Sequence, residues 1–309
     1  METNPPFKSE SGPRPFRFGI VSAAAASADA WIARARRAEA LGYASLVMPD
    51  NLQFTLAPLP ALAMAAAATR TLRLGTYVLA NDLRHPVLLA KDVASLDLLA
   101  GGRVELGIGA GRPDAAAENR MLGLPFDPGA VRAARLAESI AILKALLAGQ
   151  RPAGPFSYYA PEEPSVSPLP AQQPKLPILV AGSGPRLLRL AAREADIIGV
   201  GLAPDAPEAE VARRIDWIRD AADTRFADIE LNINLMAVGD RVPRGIAGRL
   251  GLSASDLAER GSVAALLGTT DQMCEQLVAR RARYGFSYIL VADEFIDLFA
   301  PVVERLAGT

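Results

Sequence analysis

The chain has 309 residues, half of them hydrophobic and 22% charged, with a formal net charge of −1 at pH 7. This is a globular composition long enough for one large core, and it gives no general pull towards nucleic acid or an acidic membrane. A single cysteine, Cys274, and a single histidine, His85, exclude an internal disulfide framework and any Cys- or His-built metal cluster, so no metal is expected.

Residues 1–15 are rich in Pro, Ser and charge and lack an apolar core. They read as a flexible tail and not as a signal peptide, with one domain expected over 16–309. No run of about 18 apolar residues follows, so a membrane span is not expected and the cytoplasm is the expected compartment. FRFGIV (Phe16–Val21) reads as a first strand. Trp31, Ala35, Ala38 and Leu41 then recur at helical spacing up to a C-capping Gly42. The second strand, Tyr43–Pro49, opens into Asp50-Asn51, and an Ala-rich helix over Pro58–Thr69 is small and apolar nearly all round. Such a helix suits burial against a partner subunit as well as its own core.

Leu72 to Gly111 is the central unit. Two nearly continuous apolar strands, Leu72–Ala80 and Arg103–Gly111, are joined by a helix-sized segment stopped by Gly101-Gly102. That pattern is a right-sized crossover between parallel strands buried on both faces. A long helix (Gly129–Ala148) follows, and then Arg151–Pro174, whose seven prolines predict an irregular insertion with a short hairpin around Phe156–Tyr159. Leu176–Gly182 is strand five, followed by Ser183-Gly184-Pro185-Arg186 and a helix. DIIGVGL gives strand six, a helix near 207–222 follows, and Ile229–Val238 gives strand seven. Residues 239–268 read as a second irregular region with short helices. Thr269 with Gln272 forms a capping-box pattern ahead of the last full helix, which stops at Gly285 before strand eight, FSYILVA. Eight strands alternating with helices predict an α/β fold, a (β/α)8 TIM barrel with insertion regions, whose chemistry belongs at the C-terminal strand ends.

Those ends hold the candidate residues. Gly107-Ile-Gly109-Ala-Gly111 has the spacing G-x-G-x-G, followed by Arg112-Pro113, which is not a dinucleotide fingerprint. It is either a tight loop or a backbone surface that a flat ring or phosphate approaches closely. Ser183-Gly184-Pro185-Arg186, between a buried strand and a helix, is either an ordinary turn or an anion site built from free N–H groups, a hydroxyl and Arg186. Asp50-Asn51 either caps a turn or hydrogen-bonds a ring or hydroxyl. His85 precedes a proline, as loop and cap residues do, yet it is the only side chain with an ordinary pKa near neutrality. Cys274, beside Met273 and Leu277, reads as packing.

Three blocks, GTYVLANDLRHPVLLAKDVASLDLLAGGRVELGIGAG, PILVAGSGPRLLRLAAREADIIG and DQMCEQLVARRARYGFSYILV, resemble the bacterial luciferase-like monooxygenase superfamily. Within it they are most similar to the actinobacterial branch that uses the deazaflavin coenzyme F420. The resemblance implies an F420-dependent oxidoreductase that transfers a hydride to or from a small organic substrate. It also implies a homodimer packed through the second and third helices. FMN is the alternative cofactor, in a monooxygenase on the same scaffold, and a non-catalytic flavin- or deazaflavin-binding protein is the third reading. The resemblance further implies a non-proline cis peptide at Tyr77-Val78, bulging from the end of strand three beneath the ring. The cofactor would lie against Asp50, Thr76, Tyr77, Val78, Gly109, Ala110, Gly111 and Arg112, with its phosphate at Ser183, Gly184, Pro185 and Arg186. Two positions depart from relatives. Asn51 stands where many have His, and Arg112 stands where some have Glu or Trp. His85, Asp50 and Asn51 form the candidate catalytic set; Asn51 can hydrogen-bond but cannot act as a general base, so proton transfer would come from His85, Asp82, Tyr77 or solvent. Arg112 is a candidate partner for an anionic substrate or for the cofactor's acidic tail.

Overall fold

The computed structural model describes residues 12–53, 55–243 and 251–309. The segment 1–11 of the expected tail and the stretch 244–250 of the second irregular region lie outside them. The chain begins β1 (Arg17–Val21), α1 (Ala28–Ala40), β2 (Ser45–Met48), α2 (Pro58–Ala68), β3 (Arg73–Thr76), β4 (Leu79–Ala80) and α3 (Pro86–Leu99). It continues β5 (Val104–Gly109), α4 (Ala116–Met121), α5 (Gly129–Leu147), β6 (Ile178–Gly182), α6 (Pro185–Glu194), β7 (Ile197–Val200) and α7 (Glu208–Ala222). It closes with β8 (Glu230–Asn234), β9 (Ala237–Val238), α8 (Ala254–Glu259), β10 (Ala265–Leu266), α9 (Thr270–Tyr284), β11 (Phe286–Ala292) and α10 (Ile296–Leu306). The fold is a (β/α)8 barrel, as predicted, with β3 and β4 serving as one interrupted strand.

The chain divides into two compact units. One comprises Ser22–Arg37 and Leu46–Gly182. Here β5 pairs in parallel with β3, β4 and β6. Leu74, Leu106, Ile108 and Val180 on the strands are buried, as are Leu62, Val93 and Leu136 on the helices. The apolar strands are covered on both sides, which is why they read as continuous hydrophobic runs. Trp31 is the anchor of this unit's helical layer: its indole N–H donates to Ala61 O at 2.8 Å.

The other unit comprises Met1–Val21, Ala38–Ser45 and Ser183–Thr309. Within it β1 pairs with β11, β11 with β8 and β8 with β7, all parallel. Phe18 faces the helices and meets Phe299 edge to face. Arg17 therefore faces the other way, where it pairs with Glu230 at 2.6 Å and lies over the Tyr288 ring. The Tyr288 hydroxyl shares a hydrogen bond with Ser45 Oγ at 2.6 Å. The predicted capping box forms: Thr269 N donates to Gln272 Oε1 at 2.9 Å, and Gly285 ends α9 at φ +87°.

Two expectations need correction. No hairpin forms at Phe156–Tyr159, because the backbone N–H groups of Ser157, Tyr158 and Tyr159 all donate to the Glu138 carboxylate on α5 instead of to a strand. Strand seven stops at Asn234, and Ala237–Val238 leaves to pair with Ala265–Leu266 in a separate two-stranded sheet. Between Arg112 and α5 the chain forms the short helix α4. Among the described residues, no helix is long and apolar enough to cross a membrane.

Candidate active site

The strand ends of the first unit converge on a bulge. Gly75 pairs with Glu105 and Leu79 with Ile108, so three residues, Thr76-Tyr77-Val78, stand opposite two. The Tyr77-Val78 peptide is cis, at the bond the sequence resemblance singled out. Thr76 Oγ1 fixes the bulge, donating to Gly107 O at 2.7 Å and accepting from Gly107 N at 2.9 Å. The tight glycines follow from this. A Cβ on Gly107 would stand 1.8 Å from Thr76 O, and one on Gly109 would stand 2.9 Å from Val78 Cγ2. Within this unit the backbone that approaches so closely is the neighbouring bulge. Burial pushes the Tyr77 hydroxyl well above its ordinary pKa, so it stays protonated.

Gly111 turns at φ +81°, and a buried arginine that the sequence reading did not single out holds the turn. Arg132 on α5 donates through Nη1 to Ala110 O at 2.7 Å and Gly111 O at 2.9 Å, and through Nε to Asp127 O at 3.1 Å. Its guanidinium lies over Phe126. Nothing in the sequence separates it from the other arginine of α5, Arg135, which pairs instead with Asp82 and Asp127.

The candidate catalytic residues go to different places. Asp50 is 5% exposed at its side chain and engaged on both oxygens: Arg84 donates at 2.5 and 3.2 Å, and Ala80 N at 3.1 Å. It ties the end of β2 to the connection before α3. His85 is exposed and caps α3, with Nδ1 accepting from Val87 N at 3.3 Å. Its ring stands edge-on to Tyr159, in an open groove of about 730 Å³ that Leu88, Lys91 and Pro164 help to line. Asp82 pairs with Arg135 at 2.8 Å.

Asn51 and Arg112, the two departures, meet on one carboxylate. Asn51 Nδ2 donates to Glu118 Oε1 at 2.5 Å, and Arg112 Nη2 donates to the same oxygen at 2.8 Å. Arg112 Nε also reaches Asp114 at 3.1 Å. Burial works against the Arg112 charge, but the bonds to Glu118 and Asp114 outweigh it and raise its pKa. The Glu118 side chain is 10% exposed, and α4 holds it in place. Sequence reading passed over it because α4 is one short, weakly patterned turn inside a loop-like stretch.

In the other unit, α6 starts at Pro185 with Gly184 as N-cap and no side-chain cap, so its first N–H groups are unclaimed by side chains. Ser183 and Arg186 are exposed there. Arg214 on α7 is 8% exposed, donates through Nε to Ser183 O at 3.1 Å, and pairs with Glu210. Its Nη1 has no hydrogen-bond partner among the described residues, and burial lowers its pKa. A buried guanidinium with a spare donor beside an open helix N-terminus suits an anion. No group of three or more His, Cys, Asp or Glu residues able to hold a metal occurs among the described residues. Cys274 is half-buried, and burial raises its thiol pKa.

A protein of Beutenbergia cavernae named F420-dependent glucose-6-phosphate dehydrogenase is 40% identical over 167 residues, 52% of this chain and 48% of that protein. The chain thus spans about half the length of the curated relatives of that name that it matches. Among solved structures, the coenzyme F420-dependent tetrahydromethanopterin reductase of Methanopyrus kandleri superposes with TM-score 0.75 at 18% identity, over 95% of this chain and all of that one. An F420-dependent secondary alcohol dehydrogenase, solved with an F420–acetone adduct, gives 0.77 at 18%, over 95% and 99%. At such identities these likenesses speak for the fold. The family model described as luciferase-like monooxygenase matches residues 15–243. The chain belongs to the luciferase-like monooxygenase family.

Proposed function

We propose that the protein is an F420-dependent oxidoreductase that transfers a hydride between C5 of the deazaflavin and a small organic substrate. The observation that carries this is the 40% identity to the protein named F420-dependent glucose-6-phosphate dehydrogenase. The donor set is compatible with the cofactor. Its tail is an anionic phosphodiester, and the open N-terminus of α6 with Ser183, Gly184, Pro185, Arg186 and the spare Nη1 of Arg214 matches that charge. Thr76, Tyr77, Val78, Gly109, Ala110, Gly111 and Arg112 are the proposed ring-side residues. When bound, the cofactor supplies the redox chemistry, and the protein supplies orientation and a dry surface.

FMN also carries a phosphate, so the same donors suit an FMN-dependent monooxygenase. Titrating the purified apoprotein with F420 and with FMN, followed by fluorescence, separates the two. F420 is expected to bind at least about tenfold more tightly, a difference of about 1.4 kcal/mol, and tighter FMN binding overturns the reading. Binding of F420 without hydride exchange against a broad substrate panel would instead favour a non-catalytic carrier.

We also propose that the protein acts as a cytoplasmic homodimer packed through α2 and α3. Met64 on α2 and Leu88, Leu98 and Leu99 on α3 are exposed, Leu99 to 80%. Large apolar side chains clustered on two helices are the composition of an obligate interface. Sedimentation is expected to give a dimer for the protein and a monomer for Leu98→Asp/Leu99→Asp. A monomeric parent protein defeats the dimer.

A further inference from the structure

Resting on the proposed place of the cofactor ring beside Thr76–Val78, we infer that the proline-rich segment 151–174 is a strap coupled to ligand binding. Tyr159 is its latch, a positioning residue that holds the end of β4. That strand stops at Ala80, and a single helical turn, Asn81–Leu83, follows directly. Asn81 is 2% exposed and comes three positions after Val78 of the bulge. Three groups hold this turn. Asp50, after β2, accepts from Ala80 N at 3.1 Å. Arg135 on α5 pairs with Asp82 at 2.8 Å. The Tyr159 hydroxyl accepts from Asn81 Nδ2 at 3.0 Å.

The first two anchors belong to regular elements or to a strand end, and the third does not. Residues 151–174 contain no helix or strand, so the segment has no ladder of its own and rests on a few polar contacts. In its first half the N–H groups of Ser157, Tyr158 and Tyr159 donate to Glu138 at 2.7, 2.8 and 3.3 Å. In its second half Ser167 O accepts from Lys91, and Gln172 N and Nε2 donate to Asp97. The halves differ in strength. Asp97 is fully buried, which fixes the Gln172 end. Ser157 and Tyr158 are exposed, so water competes for their bonds to Glu138, and this half is the one that can open locally.

The half that can open is also the half that touches the turn behind the bulge. With Tyr159 bonded to Asn81, the end of β4 is held from three sides and Val78 is set with it. A ring seated against Val78 favours the held arrangement over the released one. Linkage then requires ring and strap to stabilise each other by the same factor. Packing sets the latch itself: His85 stands edge-on to the Tyr159 ring, with centroids 5.3 Å apart. Burial raises the pKa of the Tyr159 hydroxyl, so the phenol that meets Asn81 is neutral. The neighbouring Tyr158 turns its ring to Arg135 instead and is 41% exposed.

The test combines F420 affinity, read by fluorescence, with hydrogen exchange of the 157–159 amides, read with and without saturating F420. Saturation is expected to slow exchange of these amides by about fivefold or more. Tyr159→Phe keeps the ring against His85 and removes only the hydroxyl. It is expected to weaken F420 by about fivefold and to lessen the slowing. The double variant Glu138→Ala/Tyr159→Phe releases this half of the strap, and it should weaken F420 by the same factor by which F420 slows exchange in the parent protein. Tyr158→Phe should change neither quantity by more than about twofold. A residue that only supports the fold would lower stability without making these amides respond to F420. If F420 binds and the amides exchange at an unchanged rate, the strap is overturned. If they respond but Tyr159→Phe matches the parent protein in both readouts, the latch is overturned. If F420 does not bind, the function proposed above falls, and FMN run in parallel decides the strap by the same criterion. Binding of neither overturns both.

Discussion

Replacing Gly107 by alanine is expected to cost about 4 kcal/mol or more, a large part of the roughly 5–15 kcal/mol that holds a domain of ordinary stability. The new methyl would lie 1.8 Å from Thr76 O and 2.8 Å from its carbonyl carbon. Both are backbone atoms, so no side chain can rotate away. Relief requires β3 to separate from β5, which breaks the two Thr76–Gly107 bonds and shifts the Tyr77-Val78 bulge. Urea denaturation measures the loss, with Gly184→Ala as the comparison, because nothing lies within 4 Å of a Cβ there. A cost below about 1 kcal/mol at Gly107 would show that the strand pair yields more easily than this packing implies.

Arg132→Ala carries the second-largest expected effect. It removes the donors to Ala110 O, Gly111 O and Asp127 O together with the guanidinium lying over Phe126. Leaving those carbonyls without their donor and deleting a buried stem should cost roughly 3 kcal/mol. The loop after β5 would then lose the hold that sets the direction of Arg112. Loosening of that loop is expected to weaken F420 binding as well as stability, so thermal melts and cofactor titration should move together. Arg132→Lys should recover less than half of the loss, since one ammonium cannot span the same carbonyls as a planar fork. Full recovery by lysine would mean that charge, and not the fork geometry, holds the turn.

The sequence by itself determined the barrel. Its strands are apolar on both faces, its helices are punctuated by Gly42, Gly149 and Gly285, and the Thr269–Gln272 box and Pro185 mark helix starts with local chemistry. These signals are short-range, so they survive without knowledge of the fold. The interruption at Tyr77-Val78 was legible by resemblance, and the structure places it as expected. Why Gly107 and Gly109 are glycines was not legible. Their constraint is Thr76 and Val78 on a neighbouring strand, about thirty positions away in sequence. The same holds for the polar residues. Asp50 and Asn51 are adjacent in the chain, yet Asp50 turns to Arg84 while Asn51 turns to Glu118, 34 and 67 positions away respectively. Which carboxylate an arginine neutralises depends on pairings between distant segments. Only the tertiary structure decides that, because a charge takes its function from what is packed against it and not from its neighbours in sequence.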